Sequence, residues 1–307
     1  MFSMLRNLRE RRIAALNDRR RGVCRHPAAQ AARWVAMACV AFALSSSAFS
    51  QPGEPGKEIR IILVGDSTMA VQSGWGPGFC ALVSSKVDCV NMARSGRSSL
   101  SYRAEGSWAK VMDALQHNSD YKATYVMIQF GHNDQPGKLG RSTDLATEFP
   151  ANMKHFADDV RSTGAKPVLI TPLERRTFRD GKLSNGLGPW ADAVRSVASA
   201  EHIPLLDLNA DSYKAMQAMG LAEADSLAMG PPPPEAVAGE ATGTSVSLPK
   251  SHAPGAPELR PDGTDPNFNP VFDYTHLGRK GSAYIGRMIA GELAAAVPEL
   301  KLYLKSN

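Results

Sequence analysis

A chain of 307 residues with a formal charge of +5 looks basic, but the charge is unevenly placed. Residues 1–50 hold nine arginines against Glu10 and Asp18, which leaves 26 basic and 28 acidic residues in the 257 that follow. The body is therefore slightly acidic, offers no footprint for nucleic acid, and has the length of one sizeable α/β domain.

The first 50 residues read as a secretory signal. An arginine-rich stretch ending at Arg33 precedes an apolar run from Trp34 to Leu44, and Ala48-Phe49-Ser50 is a small-x-small site for cleavage near Ser50. The run is shorter than the roughly 20 residues a bilayer span needs. A secreted or periplasmic protein with no stable membrane span after signal removal is expected. Cys39 lies inside the apolar run, and the body keeps Cys80 and Cys89. An even count in an oxidising compartment predicts a disulfide between them.

A Pro/Gly linker at 51–58 leads into a single predicted domain at 59–307. Strands are expected at Ile59–Val64, Val87–Asn91, Thr124–Phe130, Pro167–Thr171 and Ile203–Leu208. Helical spacing falls at Trp75–Lys86, Trp108–His117, Leu145–Thr163, Trp190–Glu201, Ser212–Ala222 and from Gly278 to about Val297. The strands are short and apolar without clean alternation, as strands covered on both faces should be. Their alternation with helices implies a parallel sheet in a three-layer α/β/α sandwich. The segment from Met229 to Asn269, rich in Pro, Gly, Ser and Ala, breaks the rhythm. It is either a wall of the active site or a flexible surface excursion.

Such sheets bind ligands beyond the carboxyl ends of their strands. The first strand ends at Gly65-Asp66-Ser67, where a serine near a helix N-terminus would have backbone N–H groups beside it. The second leads to Gly96, which can offer an unobstructed N–H, and the third ends at Gly131-His132-Asn133-Asp134, where Asn133 supplies an amide donor. Asp273-Tyr274-Thr275-His276 stands before the last helix. A neutral imidazole can take a serine proton while a carboxylate on its other nitrogen fixes the tautomer. Each piece alone is an ordinary turn or cap.

Taken in order, these four blocks resemble those of the SGNH (GDSL-like) hydrolases across nearly the whole body of the chain. The resemblance implies a flavodoxin-like five-stranded sheet, Ser67 as nucleophile, His276 as base and Asp273 as its orienter. The Ser67 and Gly96 N–H groups and the Asn133 amide would form the oxyanion hole. Gly65 to Ala70, Gly74-Trp75-Gly76, Ala93 to Ser98 and Phe130 to Asp134 look like the rhamnogalacturonan acetylesterases of carbohydrate esterase family 12. That likeness implies deacetylation of an acetylated plant cell-wall polysaccharide without a metal; no cofactor and a monomer are expected. Arg94-Ser95 and the Pro-rich segment depart from the pattern.

Several neighbours carry two readings. His132 is a candidate substrate contact or a plain strand-end residue. Trp75 and Trp108 either stack on sugar rings or pack in the core. Arg97 is a candidate for a uronic carboxylate, and Glu174-Arg175-Arg176 either meets acidic sugar or forms a solvated ion cluster. The rival classes are a metal-dependent phosphoesterase built on Asp66, His132, Asp134, Asp273 and His276, and a non-catalytic glycan-binding protein. Within the esterases, xylan acetylesterase, lipase and thioesterase remain alternatives.

Overall fold

The computed structural model describes residues 56–248 and 264–305. The signal region, most of the linker and residues 249–263 of the Pro-rich segment lie outside the described residues.

Five strands form the central sheet: β1 (Ile59–Gly65), β2 (Val87–Asn91), β3 (Ala123–Gln129), β4 (Lys166–Ile170) and β7 (Leu205–Leu206). They are all parallel, in the order β2-β1-β3-β4-β7. This is the doubly wound, flavodoxin-like order expected of the sequence, with crossover helices on both faces. Side chains of β1 alternate between two cores. Ile59, Ile61 and Leu63 pack with α1 (Gly76–Cys80), α6 (Leu208–Asp225) and α8 (Arg279–Ala296). Ile62 and Val64 pack with α2 (Ser99–Ala104), α3 (Ser107–Leu115), α4 (Glu148–Ser162) and α5 (Gly188–Ala200). Both faces are thus apolar, which is why the strands show no clean alternation. Among the described residues no helix is long and apolar enough to cross a membrane.

Three differences from the expected elements have local causes. The helix predicted from Trp75 to Lys86 stops at Cys80. Gly76-Pro77-Gly78 is a weak helix former, and Cys80 is bonded to Cys89 in the middle of the edge strand β2, with a Cα–Cα distance of 5.7 Å. The last strand of the sheet is two residues long because Pro204 can donate nothing to the ladder and Asp207 already begins α6. In the Pro-rich segment, a short helix α7 (Pro234–Glu240) follows the proline run. The chain then docks on a hairpin of β5 (Phe178–Arg179) and β6 (Lys182–Leu183). Ser245 N donates to Phe178 O at 2.9 Å and Gly181 N to Gly243 O at 2.9 Å, so this part of the excursion is tied down.

Candidate active site

The parallel register brings the ends of three strands level: Leu63 pairs with both Asn91 and Met127, and Gly65 with Gln129. The loops that follow must therefore meet at one edge of the sheet. After β1 the chain makes one tight turn, with Met69 N and Ala70 N both donating to Asp66 O at 3.2 and 3.1 Å. No helix begins there, contrary to the expectation for Ser67; α1 starts nine residues later, at Gly76. The turn is backed by a chain of hydrogen bonds. Trp75 Nε1 donates to Gln129 Oε1 (2.9 Å), Gln129 Nε2 to Thr68 Oγ1 (2.6 Å), and Thr68 Oγ1 to Asp66 Oδ1 (2.7 Å). Gly74 lies so close behind Thr68 that an added Cβ would sit 2.3 Å from its carbonyl carbon, so glycine is needed there for the turn to close.

Ser67 is 7 % exposed at the top of this turn. Its Oγ stands 2.7 Å from His276 Nε2, and His276 Nδ1 stands 2.6 Å from Asp273 Oδ2. Asp273 Oδ1 accepts the backbone N–H groups of Thr275 and His276, each at 2.7 Å. Burial opposes ionisation of Asp273, but the bonds from His276 and these backbone donors outweigh it and bring the carboxyl down to about 2. An ionised Asp273 keeps the imidazole proton on Nδ1 and leaves Nε2 to accept from Ser67. The structure thus brings together the three residues picked from sequence as nucleophile, base and orienter.

Gly96 and Asn133, the two further candidate donors, lie in the loops after β2 and β3. Gly96 takes a positive φ of 79°, and its carbonyl accepts from Arg141 Nη1 at 3.1 Å. Asn133, 8 % exposed, donates one amide hydrogen to Arg97 O at 3.0 Å and accepts at Oδ1 from Lys138 Nζ at 3.3 Å. This pins its rotamer with the second amide hydrogen still free. Asp134 binds the two loops to each other. Its Oδ1 accepts from Ser99 N (3.0 Å) and Ser99 Oγ (2.5 Å), and its Oδ2 from Gly131 N (3.0 Å). Asn133→Ala is expected to lower kcat by about 10²–10³-fold with little change in KM, the cost of one oxyanion donor. Steady-state kinetics on a soluble acetyl ester check this, and a variant that mainly raises KM would make Asn133 a substrate contact instead.

Several candidates turn out to be internal. Trp75 is fully buried and Trp108, 5 % exposed, packs edge-on to Phe156 and donates to Asp159 Oδ2, so neither can stack on a sugar. His132 is also buried, beside Asp66 at 3.3 Å without hydrogen-bond alignment, and burial pushes its imidazole down. Arg97 is engaged by Glu105 (Nε–Oε2 2.7 Å) and by Ser95 O, and is not free for a carboxylate. Among the described residues no three His, Cys, Asp or Glu side chains gather as a metal site. Asp66, Asp134, Asp273 and His276 are each bonded as described above.

Glu174-Arg175-Arg176 is the largest departure from the solvated cluster foreseen as one of its readings. Arg176 is fully buried, and its Nη2 donates to Asp273 O (2.6 Å) and His276 O (2.9 Å) while its backbone N donates to Tyr274 O (2.8 Å). The guanidinium therefore straps the Asp-x-x-His loop to the end of β4 from beneath. Glu174, 1 % exposed, braces the other side by accepting from Asn209 Nδ2 and Leu187 N. A charged run directly after a strand that ends at the catalytic edge was the only signal for either residue.

The line Ser67–His276–Asp273 at the carboxyl edge of a flavodoxin-like sheet, with Gly96 and Asn133 in the adjoining loops, is the arrangement expected of an SGNH-type protein, a carboxylic ester hydrolase. The chain belongs to the GDSL-like lipase/acylhydrolase family, whose model matches residues 63–231. It is 30 % identical over 259 residues to a rhamnogalacturonan acetylesterase of Bacillus subtilis, covering 82 % of this chain and 94 % of that one. A rhamnogalacturonan acetylesterase of Emericella nidulans is 38 % identical over 113 residues, 36 % of this chain and 42 % of its own. Among solved structures, the Bacillus subtilis protein YXIM superposes with a TM-score of 0.55 at 23 % identity over 79 % of this chain and 58 % of that one. This last likeness concerns the fold.

Proposed function

We propose that the chain is a secreted serine esterase that removes acetyl groups from a plant cell-wall polysaccharide, rhamnogalacturonan first, through an acetyl-enzyme. The observation that carries the chemistry is the line of contacts Ser67 Oγ–His276 Nε2–His276 Nδ1–Asp273 Oδ2, at 2.7 and 2.6 Å. The relatives that share 30 % or more of its residues support the substrate class, and the N-terminal signal pattern supports export.

In the first half-reaction His276 Nε2 takes the Ser67 proton as Oγ attacks the acetyl carbonyl carbon. The oxyanion is held by the N–H groups of Ser67 and Gly96 and by the free hydrogen of the Asn133 amide. The intermediate collapses with the sugar oxygen leaving, protonated by His276, and acetyl-Ser67 remains. In the second half His276 deprotonates a water that attacks the acetyl carbon, and Ser67 leaves with that proton as acetate departs.

Two measurements test this reading together. Acetate release should exceed release of butyrate or octanoate from matched esters; a preference for the longer chains would favour a GDSL lipase or thioesterase. The pH profile should show one acid limb. Asp273, held at about 2, is ionised throughout the working range and sheds no proton there, while the base must be neutral to accept from Ser67. Activity should therefore rise toward neutral pH and persist at mildly alkaline pH. A profile falling between pH about 5 and 8 would contradict a histidine base.

A further inference from the structure

The loops after β3 and β4 carry three cations, Lys138, Arg141 and Arg175, that form no direct ion pair with a carboxylate among the described residues. Lys138 Nζ donates to Asn133 Oδ1 and to His132 O, and Arg141 Nη1 to Gly96 O; both meet only neutral oxygens. Arg175 is half-buried and its guanidinium makes no hydrogen bond or ion pair among the described residues. The negative charges it feels are Glu174, Asp66 and Asp273. Each is bonded elsewhere: Glu174 to Leu187 N and Asn209, Asp66 to Thr68, and Asp273 to His276 and Thr275.

These cations also stand close enough to oppose one another. Burial, then repulsion by Arg175 and Arg141, brings the Lys138 ammonium down to about 8 despite the attraction of Asp66 and Asp134. Like charges held together in a half-buried place cost stability unless a counter-charge joins them. Their position is informative too. Lys138 and Arg141 grip the residues that offer the oxyanion donors, Asn133 and Gly96. Arg175 lines an open groove of about 630 Å³ together with Ser245, Leu248, Phe272, Asp273 and Tyr274. A polymer lying in this groove would pass Arg175 and Asp273, whose carboxylate holds His276 beside Ser67.

We propose that Arg175, Lys138 and Arg141 form a carboxylate-binding subsite, which takes the free carboxyl group of a uronic-acid residue at or next to the acetylated sugar. This rests on the reading of the chain as a polysaccharide acetylesterase and supplies its selectivity: an acidic chain, free of methyl esters. Guanidinium groups suit the task because their planar fork matches a carboxylate in two parallel hydrogen bonds. Lys138, already occupied at two oxygens, contributes field more than contact.

The test compares two forms of one acetylated, uronic-acid-containing oligosaccharide, the free acid and its methyl ester, with the unmodified enzyme. Methylation removes the charge and the two-oxygen fork at the cost of one added methyl group. The subsite predicts a kcat/KM about tenfold or more lower on the methyl ester, carried mainly by KM, with a preference that shrinks as salt screens the cluster. Arg175→Gln and Arg141→Gln together should collapse the ratio between the two forms toward one. Equal rates of the unmodified enzyme on both forms would overturn the subsite while leaving the acetylesterase reading intact. A double variant that slows both forms equally would also overturn it, and would make the cations general stabilisers of the oxyanion. Failure to release acetate from either form or from any small acetyl ester would instead defeat the functional reading, and the subsite with it.

Discussion

Ser67→Ala is expected to lower ester hydrolysis by at least about 10⁴-fold while the protein stays folded. The hydroxyl makes one contact that the chemistry needs, to His276 Nε2 at 2.7 Å, and the turn that carries it is held by other atoms. Its own carbonyl accepts from Ser73 Oγ at 2.7 Å, and the Asp66–Thr68–Gln129–Trp75 chain lies behind it. None of these bonds involves the Oγ of Ser67, so the substitution removes that hydroxyl and little structure. Loss of a triad nucleophile leaves only what the oxyanion donors and binding can do. Acetate release by the purified variant, read beside its thermal midpoint, decides the matter; turnover within tenfold of the parent would sink the assignment.

Asp273→Asn should cost a comparable factor, about 10⁴ in kcat, for a reason visible in the hydrogen bonds. Asp273 Oδ1 accepts two backbone N–H groups at 2.7 Å, so the amide oxygen of an asparagine must take that position. The amide NH₂ is then left facing His276 Nδ1, where Oδ2 now stands at 2.6 Å. A donor there forces the imidazole proton onto Nε2, the atom that must accept from Ser67. The geometry of the loop survives and the tautomer is wrong. Nitrogen chemical shifts of His276 should report the moved proton, and a variant as fast as the parent would mean that Asp273 does not set the tautomer.

The parts of this site that could be read from the sequence are those whose meaning is local. Gly65-Asp66-Ser67 and Asp273-x-x-His276 each sit at the end or start of an element that hydrophobic patterning reveals, and their order fixes them to one edge of a parallel sheet. What could not be read depends on contacts distant in sequence. Arg176 is 97 and 100 residues from the carbonyls of Asp273 and His276 that it binds, and nothing in Glu-Arg-Arg separates a buried strap from a solvated cluster. Trp75 and His132 were ambiguous because an aromatic beside a catalytic turn has the same pattern whether it faces substrate or core. The length of α1 was misread because the apolar spacing from Trp75 runs on past Cys80, while the Gly-Pro-Gly start and the bond to Cys89 favour a stop. In the Pro-rich segment, composition alone hid a docking onto the β5–β6 hairpin.

Ser67 and His276, the proposed nucleophile and base, are joined across 209 residues of chain. Contacts of such separation form only after much of the intervening chain has been ordered, since loop-closure entropy opposes them early. During synthesis the first strand, the nucleophile turn and the loops bearing the oxyanion donors all emerge before the residue that makes the serine reactive. A growing chain therefore holds an inert hydroxyl until the element before α8 has arrived. Appearance of esterase activity is accordingly a clock for the last long-range step of folding, and one that no earlier fragment can start.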